Sequence, residues 1–407
     1  MTRRTDPNVL DAAALGAEYA EDLILGTVRE VHGAVAGRVH AVVDRLAGGT
    51  TLSHRAHDGI SKAVYTGISL GLRGSAKGLR AVGRTGVAPL LEESHRGRFV
   101  VAAVNGLIGD RLRDEGSNLV FDMGIRVDGR DVDLTTVGVA AAFPEAGERV
   151  VVFVHGLSEN ESYWNRAARP PRETPDHRSY GDRLVADGWT PVYVRVNTGL
   201  PIAENAVAMA AVLDRLVEAW PVGIRRLALV GHSMGGLILR AACAVTTDAQ
   251  RPWTDRVTDL VLLGAPHLGA PLERVVTKGV RWLDVLPESA PFGRILEYRS
   301  VGILDLRHGL AQDVQNLPNA RYRLVAATLT RSPTSLTSAT LGDYLVPYDS
   351  ALGRRRGGEE MFPGAETLHV PRADHFDLLN HDDIHAALVT WLRDRSDAPT
   401  KEESPTG

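Results

Sequence analysis

The sequence predicts an α/β protein, a mostly parallel sheet with helices on both faces, and three observations carry that reading. Strand-like and helix-like patterns alternate from Arg149 to Leu392. The strands are almost unbroken aliphatic runs, as expected where a sheet is buried on both sides. The segments between them repeat apolar residues at three- and four-residue steps, the period of a helix.

Taken in order, the chain up to about Leu112 reads as helical. Tyr19, Leu23, Ile24, Val28, Val31, Val35, Val39, Val42, Val43 and Leu46 share one helix face, and Gly48-Gly49 supplies a stop. A second pattern runs through Ile60, Val64, Ile68, Leu72, Leu79 and Val82 and carries Gly67, Gly71, Gly74 and Gly78. Each glycine costs about 1 kcal/mol against alanine inside a helix, which suggests a small-residue seam between closely approaching backbones. Three readings stay open: a packed helical hairpin, an amphipathic element lying on a membrane or lipid surface with Lys62, Arg73, Lys77, Arg80 and Arg84, or partial disorder.

From Asn118 the period changes to two. Ile125, Val127, Val132 and Leu134 alternate around Asp128-Gly129, a hairpin signal. Strands are then expected at Arg149 to Val154, Trp189 to Val196, Leu227 to Val230, Leu260 to Leu263, Tyr322 to Leu329 and Thr367 to Val370. Helices are expected at Ile202 to Trp220 and Ile384 to Leu392, and the last dozen residues read as a polar, disordered tail.

Composition narrows the function classes. The formal net charge is −4 over 407 residues, with no basic excess, which argues against nucleic-acid binding. Cys243 is the only cysteine, so an intrachain disulfide and a cysteine-based zinc site are excluded, and it reads as a small buried side chain. No spaced ligand motif or phosphate loop stands out, and no cofactor is expected. The arginines of the first residues lack a following apolar run, and no stretch approaches the ~20 apolar residues of a membrane span. A cytoplasmic protein is expected, with peripheral membrane contact left open for the N-terminal helices.

The most informative stretch is Leu227 to Ala242, LALVGHSMGGLILRAA. Gly231-x-Ser233-x-Gly235 stands between a strand and a helix, the form of a nucleophile elbow in which the turn lifts a serine hydroxyl clear of the sheet. In a parallel sheet, reactive groups collect at such strand ends. With GHSMGG in this context, roughly Val150 to Leu392 resembles the α/β-hydrolases, and within them lipase- and esterase-like members. "NTGLPI" and "LGAPHLGAPLE" resemble the same relatives, including a GPI inositol-deacylase-like group.

The resemblance implies an α/β-hydrolase fold and an active-site order of serine, acid, histidine. Asp343 matches the position of the acid, although relatives often have glycine where Tyr344 stands; Asp305, Asp313 and Asp349 compete with it. His375, after the last strand, stands where the general base is found, and His267 is its rival. Asp374 is too close in sequence to orient the His375 ring. The oxyanion hole is expected from the backbone N–H groups of Met234 and of Leu157, the latter in His155-Gly156-Leu157, which resembles the family's HG motif; Gly156 allows the tight turn.

The implied layout is an N-terminal helical region over 1–115, a catalytic domain over 116–395 with a cap insertion at about 267–315, and the tail over 396–407. Trp282, Leu283 and Phe292, with Leu286, Ile295 and Leu296, are candidates to line an acyl pocket or merely the underside of the cap. His155 is a candidate substrate contact, with packing or turn bonding as its alternative. The expected activity is hydrolysis of small-molecule or lipid carboxylic esters through an acyl-enzyme. Thioesterase, amidase or acyltransferase chemistry on the same residues, or a non-catalytic lipid- or protein-binding module, remain alternatives.

Overall fold

The computed structural model describes residues 7–19, 70, 74–82, 85, 90–165, 178–245, 252–270, 300–308, 314–333, 342–354 and 360–393. The chain divides into two compact units, one within Met1–Phe121 and the other within Asp122–Val275 and Ser300–Gly407.

The described part of the first unit is helical: Val9–Tyr19, residues 74–82 and His95–Asp114. Ser94 caps the last of these by accepting from the Gly97 N–H, and buried Asn105 donates to the carbonyls of Val101 and Leu119. Of the expected glycine seam only Gly74 and Gly78 are described, and a Cβ at either would meet no atom of the described residues within 4 Å. Gly67 and Gly71, and most of the first helical pattern, lie outside the described residues. Among the described residues no helix is long and apolar enough to cross a membrane.

The second unit is built on an eight-stranded sheet of order β2-β1-β4-β3-β5-β6-β7-β8. The strands are β1 (Gly124–Val127), β2 (Arg130–Asp131), β3 (Arg149–Val154), β4 (Thr190–Arg195), β5 (Arg226–His232), β6 (Val257–Leu263), β7 (Arg321–Thr328) and β8 (Glu366–Pro371). The hairpin β1–β2 is antiparallel and joins β4 antiparallel; every pairing from β4 through β8 is parallel.

Period-two alternation within these aliphatic strands separates two cores. Val150, Val152, Val154, Leu227, Leu229, Leu260 and Leu262 pack with the helices Ile202–Ala219 and Met234–Cys243. Val151, Phe153, Ala228, Val230, Val261 and Leu263 pack on the other face with Tyr180–Val185 and Asp382–Leu392. A strand buried on both faces must be apolar at every position, which is why the alternation is silent in the sequence. Cys243 is buried in the first core, where burial pushes its thiol up to about 12.

Strand order reverses at β3, which lies between β4 and β5. The crevice of such a sheet lies beyond the carboxyl ends of the strands at that reversal. The residues standing there are His155 to Leu157 after β3 and Ser233 after β5.

Candidate active site

Ser233 joins β5 to the helix Met234–Cys243 with φ +53° and ψ −125°, a strained conformation for a residue with a side chain. The glycines around it are imposed by space. A Cβ at Gly231 would lie 2.6 Å from Gly236 Cα, and one at Gly235 would lie 2.4 Å from the His155 carbonyl oxygen. The Ser233 N–H donates to Leu263 O at 2.8 Å, which ties the turn to the end of β6.

Asp343 and His375 arrive from loops after β7 and β8. His375 Nδ1–H donates to Asp343 Oδ2 at 2.6 Å, and the His375 backbone N–H donates to Asp343 O at 3.1 Å. The other carboxylate oxygen, Oδ1, accepts from the N–H groups of Leu345 at 3.0 Å and Val346 at 2.8 Å. Both side chains are buried, Asp343 at 1% and His375 at 2% exposed. With Nδ1 donating, a neutral His375 carries its lone pair on Nε2. The loop bends through Gly342 at φ +57° and Tyr344 at φ +89°, so the tyrosine occupies backbone space that favours glycine.

The competing residues are engaged otherwise. Asp374 accepts from the N–H groups of Phe376 and Asp377 in its own turn. Asp305 accepts from the Ile202 N–H and so caps a helix. His267 is buried against Phe362 with neither ring nitrogen hydrogen-bonded among the described residues. Burial, with Arg240 adding charge repulsion, pushes it down to about 3. Asp313 lies outside the described residues.

The turn after β3 is pinned from both sides. His155 Nδ1–H donates to Gly156 O at 2.9 Å, and its Nε2 accepts from the Val196 N–H at 3.0 Å. Burial lowers the pKa of this ring, in keeping with a neutral imidazole that donates once and accepts once. The Gly156 N–H donates to Glu159 Oε2 at 2.6 Å, and the Glu159 N–H returns to Gly156 O at 3.3 Å. A peptide unit is planar and trans, so fixing the Gly156 carbonyl also aims the Leu157 N–H the opposite way. Neither that N–H nor the Met234 N–H donates to an acceptor among the described residues. A Cβ on Gly156 would sit 3.0 Å from Ser233 Cβ, so this loop lies directly against the serine.

The profile of the alpha/beta hydrolase family matches residues 151–389. The chain belongs to the alpha/beta hydrolase family. The hydrolase-family match contains Ser233, Asp343 and His375, all but the first two residues of β3, and the strands β4 to β8. Similar solved structures include the mature lipase BlEst2 of Bacillus licheniformis, at 20% identity over 60% of this chain and 92% of that one, with a TM-score of 0.42. The naproxen esterase (carboxylesterase NP) of Bacillus subtilis is 14% identical over 60% and 84% of the two chains, TM-score 0.37. An esterase of Pyrococcus furiosus, Pf2001, is 14% identical over 60% and 81%, TM-score 0.37. No curated protein matches the sequence.

In this alpha/beta hydrolase Asp343 and His375 are in contact, and Ser233 stands at the same end of the sheet. Leu263 receives the Ser233 N–H, and a Cβ on the next residue, Gly264, would lie 3.2 Å from His375 Cε1. No hydrogen bond joins Ser233 Oγ to His375 among the described residues; such bonds often tighten only when substrate binds. His155 is fully buried with both ring nitrogens taken by backbone, so it pins the loop. Trp282, Leu283 and Phe292 lie outside the described residues, as does most of the expected cap. The residue that sequence reasoning missed is Glu159. Its only sequence signal is its place four residues after His155, in a stretch with Glu161 two residues on.

Proposed function

We propose that the chain is a serine hydrolase of carboxylic esters, working through an acyl-enzyme on Ser233 with His375 as base and Asp343 as its orienting acid. The observation that carries this reading is the 2.6 Å bond from His375 Nδ1 to Asp343 Oδ2 beside a serine held at φ +53° between strand and helix. The bond leaves His375 Nε2 as the proton acceptor for the serine hydroxyl, which is a weak nucleophile without one.

In the first half-reaction His375 takes the Ser233 proton as Oγ attacks the ester carbonyl. Negative charge then develops on the carbonyl oxygen, where the Leu157 and Met234 N–H groups are free to donate. The imidazolium passes its proton to the departing alcohol. Water repeats the route against the acyl-enzyme and releases the acid.

The test is turnover of p-nitrophenyl esters over a range of acyl lengths, set against acyl thioesters and anilides. Ester turnover is expected to dominate, and Ser233→Ala to lower kcat about a million-fold. Retained turnover in that variant would refute the assignment. Preference for thioesters or anilides would move the chain to another reaction on the same residues, and loss of the N-terminal 112 residues that spares only monomeric esters would assign those helices to lipid contact.

A further inference from the structure

Beside the Asp343–His375 pair lies a second carboxylate–histidine pair that the reaction above leaves unused. His232 is fully buried and Glu159 is 2% exposed. His232 Nδ1 is 3.1 Å from Glu159 Oε2, and His232 Nε2 is 3.0 Å from the carbonyl oxygen of His375. A neutral imidazole offers one N–H and one lone pair. Here both nitrogens face oxygen acceptors, and Oε2 already receives the Gly156 N–H at 2.6 Å. A ring protonated on both nitrogens facing a Glu159 carboxylate satisfies every contact; the other arrangement that does so is a neutral ring accepting at Nδ1 from a Glu159 carboxylic acid.

We propose that Glu159 and His232 form a buried carboxylate–imidazolium clamp that positions the oxyanion loop and the general-base loop around Ser233. The proposal rests on the ester-hydrolase reading and deepens it by naming two positioning residues. The clamp joins three segments that the chain keeps far apart. Glu159 holds the peptide unit just before the one that carries the Leu157 N–H. His232 precedes Ser233 and moves with the elbow. Its Nε2–H holds the backbone of His375 itself, and the two imidazole rings lie 4.7 Å apart, centroid to centroid.

The groups facing His232 agree with a cation there. They are Glu159 from the loop after β3, Asp343 from the loop after β7, His375 from the loop after β8, and His155, which is neutral. Burial disfavours the charged ring, but the charge and hydrogen bond of Glu159, the His375 carbonyl and the charge of Asp343 together raise its pKa above the usual histidine value. Burial likewise opposes the Glu159 carboxylate, and His232 with the Gly156 N–H brings its pKa below the usual range. Trp164 and Phe376 close the apolar sides of the ring, so water does not take over the two hydrogen bonds.

The experiment compares the full chain with Glu159→Gln, His232→Gln and the double variant, and with Ser233→Ala as control. Glu159→Gln keeps an oxygen for the Gly156 N–H and removes only the charge. Active sites are counted with a fluorophosphonate probe, and kcat per counted site is measured on p-nitrophenyl butyrate. Each single variant is expected to lower kcat per site about 10- to 100-fold, the effect of a small misplacement, with KM within about threefold. The double variant is expected to be no worse than the weaker single, as for residues acting as one unit. A purely structural role would lower the number of active sites and leave kcat per site unchanged, and that result overturns the proposal.

A second measurement does not depend on turnover. With nitrogen-15 histidine labelling, the His232 ring, identified by its loss in His232→Gln, should keep both N–H groups at neutral pH in wild type and in Ser233→Ala. A singly protonated ring overturns the clamp. Loss of ester turnover as the activity of wild type, with the doubly protonated ring present, would instead sink the ester-hydrolase reading and with it the clamp's catalytic purpose.

Discussion

The two carboxylate–histidine pairs, side by side at the sheet's reversal point, use the same chemistry to opposite ends. In Asp343–His375 one ring nitrogen is bound, and the other, the nitrogen the proposed reaction uses, makes no hydrogen bond among the described residues. In Glu159–His232 both nitrogens are bound, one to a carboxylate and one to a carbonyl, so the ring is locked. Residue type does not separate a base from a clamp. The difference lies in what the second nitrogen meets: under the proposed reaction the first pair leaves it for the serine proton, and the second uses it on the backbone of the first pair's own histidine.

The largest expected effect would break the comparison outright. Asp343→Asn should lower kcat about 10⁴-fold, because an amide can hold the His375 ring in the wrong tautomer and no longer stabilises its charged form. Glu159→Gln, the matching change in the other pair, should stay within the 10- to 100-fold range given above. Equal losses in the two variants, measured as kcat per labelled site, would erase the distinction between them.

A smaller effect separates the pairs by pH. The folded-state pKa of His232 lies above the ordinary 6.5, so the stability this ring contributes is fully present below that value and is lost as pH rises through the folded pKa. Glu159 is lowered from 4.5, so its contribution is present above that value and is lost as pH falls through its own folded pKa. Urea denaturation should therefore show the deficit of His232→Gln greatest between about pH 4.5 and 6.5 and shrinking on the alkaline side. A deficit that grows with pH above that window would contradict the charged pair.

The smallest effect concerns the acid loop. Tyr344 holds φ +89° while 41% exposed, beside the carboxylate on which the first pair depends. Tyr344→Gly should stabilise the chain by about 1 kcal/mol, since glycine adopts that conformation without the strain. Equilibrium unfolding in urea reads this directly, and a loss of stability would mean that the tyrosine ring's contacts outweigh its backbone strain.

Much of this architecture is legible in the sequence for identifiable reasons. Arg149 to Val154 reads as a strand because six residues buried on both faces leave no polar position to confuse the pattern. Ser233 is legible because its turn admits no side chain at 231 or 235, so the steric demand is written as glycine. Asp343 and His375 are picked out by the α/β-hydrolase resemblance, which implies an acid and a base in the loops after the late strands, and Tyr344 is the left-handed residue of the first of those loops. Glu159 is illegible in its role, and for His155 the sequence leaves turn bonding open beside substrate contact. Glu159 finds His232 73 residues away, and His232 finds the carbonyl of His375 143 residues away, which no local pattern encodes. His155 bonds the carbonyl of its own neighbour, and a sequence motif cannot say which way a ring folds back.

The most direct measurement is covalent labelling with a fluorophosphonate, followed by mass spectrometry of the peptides from wild type and from His375→Gln. The account predicts one adduct, on Ser233, formed readily in wild type and reduced by several orders of magnitude in rate without the histidine. An adduct on any other residue, or undiminished labelling of Ser233 in His375→Gln, would contradict it.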